Sequence, residues 1–263
     1  MTTLHLLHTN DFHGKLTPGQ AETLRRAKAA RSDAILLDAG DAVSAGNVGV
    51  RLGGEPILAL MAGAGYDAMT LGNREFHVAG NALRLKIGGA GFPLLCANLR
   101  WREDRGEPLP TQSSWETTLP GGLRVGIFGL TVPMVTRRML ARWVSAFVFE
   151  DPLEEARRQV ALLRPQVDAL VALTHIGSRQ DERLALACPD IDVIVGGHTH
   201  DAVDAPKIAG GVAIVQAGSH GKFFGETELT WDAPGERPRV SGRLVPLEGT
   251  PPPTSPSTVG GGA

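Results

Sequence analysis

Short apolar runs punctuate the chain at 3–8, 34–38, 67–71, 93–97, 124–130, 168–174 and 191–195, each suited to a buried strand. Between them the pattern lengthens to the helical period. Over 153–164, Leu153, Ala156, Val160 and Leu163 fall on one stripe while Glu154, Glu155, Arg157 and Arg158 lie off it. Asp151-Pro152 supplies a cap and first turn for that helix. Strands alternating with helices predict an α/β fold. Farther on, 205–208, 212–217, 224–231 and 238–246 read as strands joined by Gly, Pro and Asp turns with no helix between, a more antiparallel, meander-like region. From Glu248 the composition turns to Pro, Thr, Ser and Gly, with too little apolar surface to offset the entropy of ordering it. A disordered tail is expected over 248–263 and a single domain over 1–247.

Composition supports that division. The 263 residues are 42% apolar, enough for one large core. The formal charge of −2 is spread over interspersed acids and bases, so no basic face announces a nucleic acid duplex and no polybasic run announces anionic lipid. Cys96 and Cys188 stand far apart, outside any CxxC spacing, and read as buried small hydrophobes. The N-terminus lacks the pattern of a signal peptide, and no apolar run approaches the roughly 20 residues that cross a bilayer. A cytoplasmic protein without a membrane role is expected; oligomeric state is not legible.

Five segments concentrate oxygen and imidazole groups where an apolar strand gives way to a Gly-rich or polar turn, the place where sites gather in α/β sheets. HTNDFHG carries Asp11 and His13, two apart and able to face one point. LLDAGDAVSAG carries Asp41, whose carboxylate can bridge two cations and which also suits a turn or N-cap; Asp38 in the same segment reads as structural. MTLGNREFH offers the Asn73 carbonyl, with Glu75 placed to orient its neighbours. VALTHIG ends an apolar run on His175. IDVIVGGHTHD delivers His198 and His200 behind a double glycine that lets backbone approach a ligand closely. Each residue taken singly fits a structural role. Two carboxylates, one amide and four imidazoles at five strand exits together point to divalent cations.

The ordered set HTNDFHG, GD at 40–41, LGNREF, THIG and GGHTH resembles the catalytic domain of the 5′-nucleotidase branch of the calcineurin-like metallophosphoesterases, over roughly residues 3–231. QAGSHGKFFGETEL at 216–229 is similar to the family's closing hairpin. The resemblance implies a four-layer α/β/β/α sandwich of two mixed sheets flanked by helices. It implies a dinuclear site in which Asp11, His13 and His200 hold one metal, Asn73, His175 and His198 the other, and Asp41 bridges both. Two cations about 3.5–4 Å apart would activate water for attack on phosphorus in a small phosphorylated substrate. Imidazoles mixed with carboxylates favour Mn²⁺ first, Zn²⁺ second, with iron or cobalt also suited.

Two departures from the family stand out. Where its third motif reads GNHEFD, this chain has Arg74 and His77. A guanidinium does not donate a proton at working pH, but its planar fork can hold a phosphoryl oxygen. His77 would lie one turn from Arg74 if the segment were helical and could supply an imidazole from there. Loss of the His/Asp pair also suits a catalytically weakened module that only binds metal and phosphate. The second departure is one of length: no C-terminal nucleotide-binding domain of the family's kind is expected, since the chain turns to its Pro/Gly tail where that domain would begin. Aromatic content is 5%, with Tyr66 the single tyrosine, and no base-stacking pair flanks the motifs. Lys15, His220 and Lys222 lie near the motifs and read as solvated side chains.

Overall fold

The structure is a computed structural model that describes residues 2–31, 33–103, 107–233, 235–247 and 250. The tail expected over 248–263 falls outside the described residues except for Thr250.

Among the described residues, fourteen strands form three sheets. The first has the order β14 (Arg239–Pro246), β13 (Phe223–Trp231), β1 (Thr2–Thr9), β2 (Ala34–Asp38), β3 (Ala68–Thr70), β4 (Leu94–Leu95). The second runs β11 (Lys207–Ala209), β12 (Val212–Val215), β10 (Val193–Val195), β9 (Ala169–His175), β7 (Arg124–Thr131), β6 (Ser114–Thr118). A small ribbon pairs β5 (Leu99–Trp101) with β8 (Phe147–Phe149). Both large sheets are mixed. Strands β1 to β4 are mutually parallel, as are β7, β9, β10 and β12, and antiparallel strands close the flanks.

Alternation along each strand assembles four layers. In β2, Ile35 and Leu37 face the opposite sheet while Ala34 and Leu36 face helices; in β9, Val171 and Leu173 face inward while Leu170 and Ala172 face outward. The outer face of the first sheet is covered by α1 (Pro18–Ala29), α2 (Pro56–Ala64) and α3 (Gly80–Ile87), and that of the second by α4 (Pro152–Leu163) and α5 (Ser178–Ala187). The expected sandwich of two mixed sheets between helices is therefore the fold found.

Helix α4 follows its stripe: Ala156, Val160 and Leu163 are buried, and the Asp151 carboxylate accepts the amides of Leu153 and Glu154 at 2.9 and 3.0 Å. The four late strands are all present but do not make one meander. Hairpin β11–β12 extends the second sheet through β10, whereas hairpin β13–β14 crosses to the first and pairs β13 with β1. Burial decides this: Leu229 and Trp231 of β13 complete the core between the sheets.

Candidate metal centre

All five motif segments emerge at the C-terminal ends of parallel strands and meet where the two sheets face each other. Asp11 and His13 follow β1, Asp41 follows β2, Asn73 and Arg74 follow β3, His175 ends β9, and His198 and His200 follow β10. Hydrogen bonds tie the exits of the two sheets together. His198 N–H donates to Asp11 Oδ2 at 2.8 Å, His175 Nδ1 lies 2.7 Å from the Ala39 carbonyl, and Thr131 Oγ1 donates to the Leu71 carbonyl at 2.7 Å.

Two groups of donor atoms result, each within 4.8 Å of one another: Asp11, His13 and His200; and Asp11, Asp41 and His175. In the first, Asp11 Oδ1 is 3.6 Å from His13 Nε2 and 3.2 Å from His200 Nε2, and the two imidazole nitrogens are 3.0 Å apart. In the second, His175 Nε2 is 3.6 Å from Asp41 Oδ1. By these distances Asp11 stands in both groups and Asp41 in the second. The His198 ring packs edge-on to His175 with centroids 5.0 Å apart. Asn73 Nδ2 donates to Asn47 Oδ1 at 3.3 Å, turning its carbonyl oxygen the other way.

The chemistry of these atoms fits cations. Asp11 Oδ1, Asn73 Oδ1 and His175 Nε2 are buried and make no hydrogen bond, which for electron-pair donors is costly unless a positive charge faces them. A carbonyl can only accept, so His175 Nδ1 carries the proton toward Ala39 and leaves the Nε2 lone pair free, the arrangement that sets a ligating tautomer. Burial pushes His175 down to about 3 and His13 to about 4, and lowers His200 as well, so all three are neutral near pH 7. Burial acts the other way on the carboxylates, raising Asp11 and Glu75 to about 7, with repulsion from neighbouring carboxylates adding to both, and pushing Asp41 up against the lowering pull of the Arg74 amide. Like charges crowded in a low-dielectric pocket are the electrostatic counterpart of a cation site.

Glu75 is the organiser of this geometry. Fully buried, it accepts amides from Asp41 at 2.9 Å, Gly72 at 2.7 Å and Val43 at 3.0 Å, joining the exits of β2 and β3. Asp38 is structural, as expected, accepting from Thr9 Oγ1 and Gly40 N–H. The buried free thiols Cys96 and Cys188 take no part.

Arg74 enters the site twice. Its amide donates to Asp41 Oδ1 at 2.7 Å and its Nε stands 3.9 Å from Asp41 Oδ2. His77 does not stack one helical turn above it. Residues 73–75 form a turn held by Glu75, and helix α3 begins only at Gly80. His77 Nδ1 accepts the Ala79 amide at 3.0 Å instead. His220, read from sequence as a solvated loop residue, lies against the site, with its ring centroid 4.9 Å from that of His13. The glycines flanking it in AGSHGK were the available signal.

The chain is similar to known proteins in sequence and in fold. The calcineurin-like phosphoesterase family matches residues 4–202. A 5′-nucleotidase of Vibrio vulnificus is 29% identical over 93% of this chain and 51% of its own length. A trifunctional nucleotide phosphoesterase protein of Bacillus subtilis is 30% identical over 88% of this chain and 18% of its own. The crystal structure of a 5′-nucleotidase precursor from Thermus thermophilus superposes with a TM-score of 0.76 at 29% identity, covering 94% of this chain and 55% of that one. The chain thus spans about half the length of the Vibrio and Thermus proteins. With the family matched from β1 through the GGHTH turn, this chain belongs to the calcineurin-like phosphoesterases.

Proposed function

We propose that this chain is a metal-dependent hydrolase of phosphate esters, with Asp11, His13, Asp41, Asn73, His175, His198 and His200 holding two divalent cations. The observation that carries the reading is the convergence of buried, hydrogen-bond-free donor atoms from both sheets on one pocket. Bound there, the cations would neutralise phosphoryl oxygens and activate a water for in-line attack. The chain's own residues do the rest. Asp11 and Asp41 supply the anionic charge between the imidazoles, Glu75 and the Ala39 carbonyl fix the orientation of Asp41 and His175, and Arg74 holds a non-bridging phosphoryl oxygen beside Asp41. Manganese is the first expectation, then zinc, with iron or cobalt behind them. The names of the Vibrio and Bacillus relatives favour a small phosphorylated substrate of nucleotide type.

Arg74 supports a second reading, in which the chain binds metal and a phosphorylated ligand with little turnover, because a guanidinium at that position can bind phosphate but not deliver a proton. Elemental analysis together with hydrolysis of a panel of mono-, di- and cyclic phosphoesters separates the two. Two equivalents of metal and turnover abolished by Asp41→Ala are expected. A metal-free protein, or activity indifferent to that substitution, would sink the first reading, and tight phosphate binding without turnover would establish the second.

A further inference from the structure

Among the described residues, the non-glycine positions with left-handed φ are Asp11, His13, Asp41, His198, His200 and His220, at 54°, 50°, 57°, 78°, 61° and 60°. Asp and His tolerate that region better than most residues, yet these six are not scattered: five are candidate metal ligands, and the sixth stands against them. The His220 ring lies 4.9 Å from His13 and 5.8 Å from His200, centroid to centroid. It is beside the ligands and not among them, since the donor atoms gathered within 4.8 Å there are those of Asp11, His13 and His200.

The loop that carries His220 is over-determined, which is what keeps a left-handed residue in place. His220 N–H donates to the Asp11 carbonyl at 2.8 Å. Asn10 accepts the Ala217 amide at 2.7 Å and donates to the Gly218 carbonyl at 2.5 Å, and Gly218 N–H donates to the Asp201 carbonyl at 2.8 Å. On the far side, Gln20 closes the N-terminal capping box of α1 through its Oε1 while its Nε2 donates to the Gly221 carbonyl at 3.0 Å. Thus the exits of β1 and β10, which carry the ligands, also aim His220. Ser219 Oγ engages Nδ1 at 2.9 Å, and a hydroxyl donating there leaves Nε2–H as a donor on an exposed ring. Lys222, Lys15 and Arg74 are cations close enough to act on this imidazole, and their positive charge suits an anion on this side of the carboxylates.

We propose that His220 is a substrate-positioning residue whose Nε2–H holds a non-bridging oxygen of the phosphoryl group, from the His13 and His200 side of the pocket, while Arg74 holds another beside Asp41. An imidazole is thereby returned to the site from the β12–β13 loop, although position 74 has none. The inference rests on the reading of the pocket as a phosphoryl site.

The test uses the full chain loaded with Mn²⁺, in parent form and as His220→Asn, which accepts left-handed φ, and His220→Gly, which accepts it without strain. Metal content is measured by elemental analysis, inorganic phosphate binding by calorimetry, and p-nitrophenyl phosphate turnover by steady-state kinetics. Both variants should keep the parent's metal stoichiometry, bind phosphate about tenfold more weakly, and raise KM by a similar factor with a smaller change in kcat. Unchanged phosphate affinity overturns the inference, as does loss of metal, which would make His220 a ligand, or a loaded parent that binds no phosphate. If the parent hydrolyses no ester but the variants still lose phosphate affinity, the hydrolase reading falls and this one stands. If the parent turns over and the variants match it throughout, the reverse holds.

Discussion

Glu75 accepts the backbone amide of Asp41 at 2.9 Å, and through this bond a residue after β3 sets the attitude of a residue after β2. The same carboxylate takes the amides of Gly72 and Val43. Glu75→Ala would leave three buried N–H groups unpaired, each costing about 1–3 kcal/mol. A stability loss of at least ~3 kcal/mol is expected in urea unfolding, together with metal affinity lower by about 10- to 100-fold. Unaltered metal binding in the variant would show that Asp41 is oriented by other means.

Gly197 offers a sharper steric test, because a Cβ there would meet the Ala39 carbonyl at 2.7 Å, His175 Nδ1 at 3.0 Å and Asp11 Oδ2 at 3.2 Å. Gly197→Ala has to part the His175 ring from the carbonyl that sets its tautomer. The expected result is metal affinity reduced by about tenfold or more, read by competition with a chelator. A variant that binds metal like the parent would mean that the Ala39 contact does not govern His175.

For Arg74, the expectation follows from its place beside Asp41. Arg74→Ala should retain the full complement of metal and lose about 10- to 100-fold in kcat/KM toward phosphomonoesters, the size of a charge-assisted hydrogen bond to the substrate. Arg74→Lys should recover only part of that, since an ammonium is a point charge without the fork. Full recovery by lysine would argue for charge alone.

Asp181, which is not among the candidate ligands, gives a pH signature of its own. It is buried on α5, accepts from Thr174 Oγ1 at 2.6 Å, and is pushed up to about 7 by burial, with Asp201 and Glu182 adding repulsion. The folded protein therefore keeps this proton while the unfolded chain releases it near the ordinary value of 3.8. Its contribution to stability is fully present below that value and is lost as pH rises toward about 7. Asp181→Asn, which cannot ionise, should gain stability relative to the parent over this window. Urea unfolding of both proteins at several pH values checks it; a constant difference would show that Asp181 does not titrate there.

The layers were legible because β2, β9 and β10 are apolar on both faces and short, which only a strand between two packed surfaces satisfies. The unforeseen strands are those whose pattern is weak: β6 reads SWETT, half exposed, and β5 and β8 are three residues each. The last two exist because Leu99 meets Phe149 across a long intervening stretch of chain. The condition under which His77 would lie one turn from Arg74, a helix over 74–77, is not met for a similar reason, since Glu75 gives its carboxylate to three amides from loops that local periodicity does not register.

By itself, then, the sequence determined which residues could ligate and at which strand exits they stand, because ligand type and strand termination are both local properties of the chain. Which donor atoms lie together, that Asp11 belongs to both groups, and that the His220 ring lies against His13 were decided only by the tertiary structure. Pairing β13 with β1 and docking one sheet on the other bring together segments far apart in the chain, and that proximity is what gathers the donor atoms of Asp11, His13, Asp41, His175 and His200 and sets the His220 ring beside them.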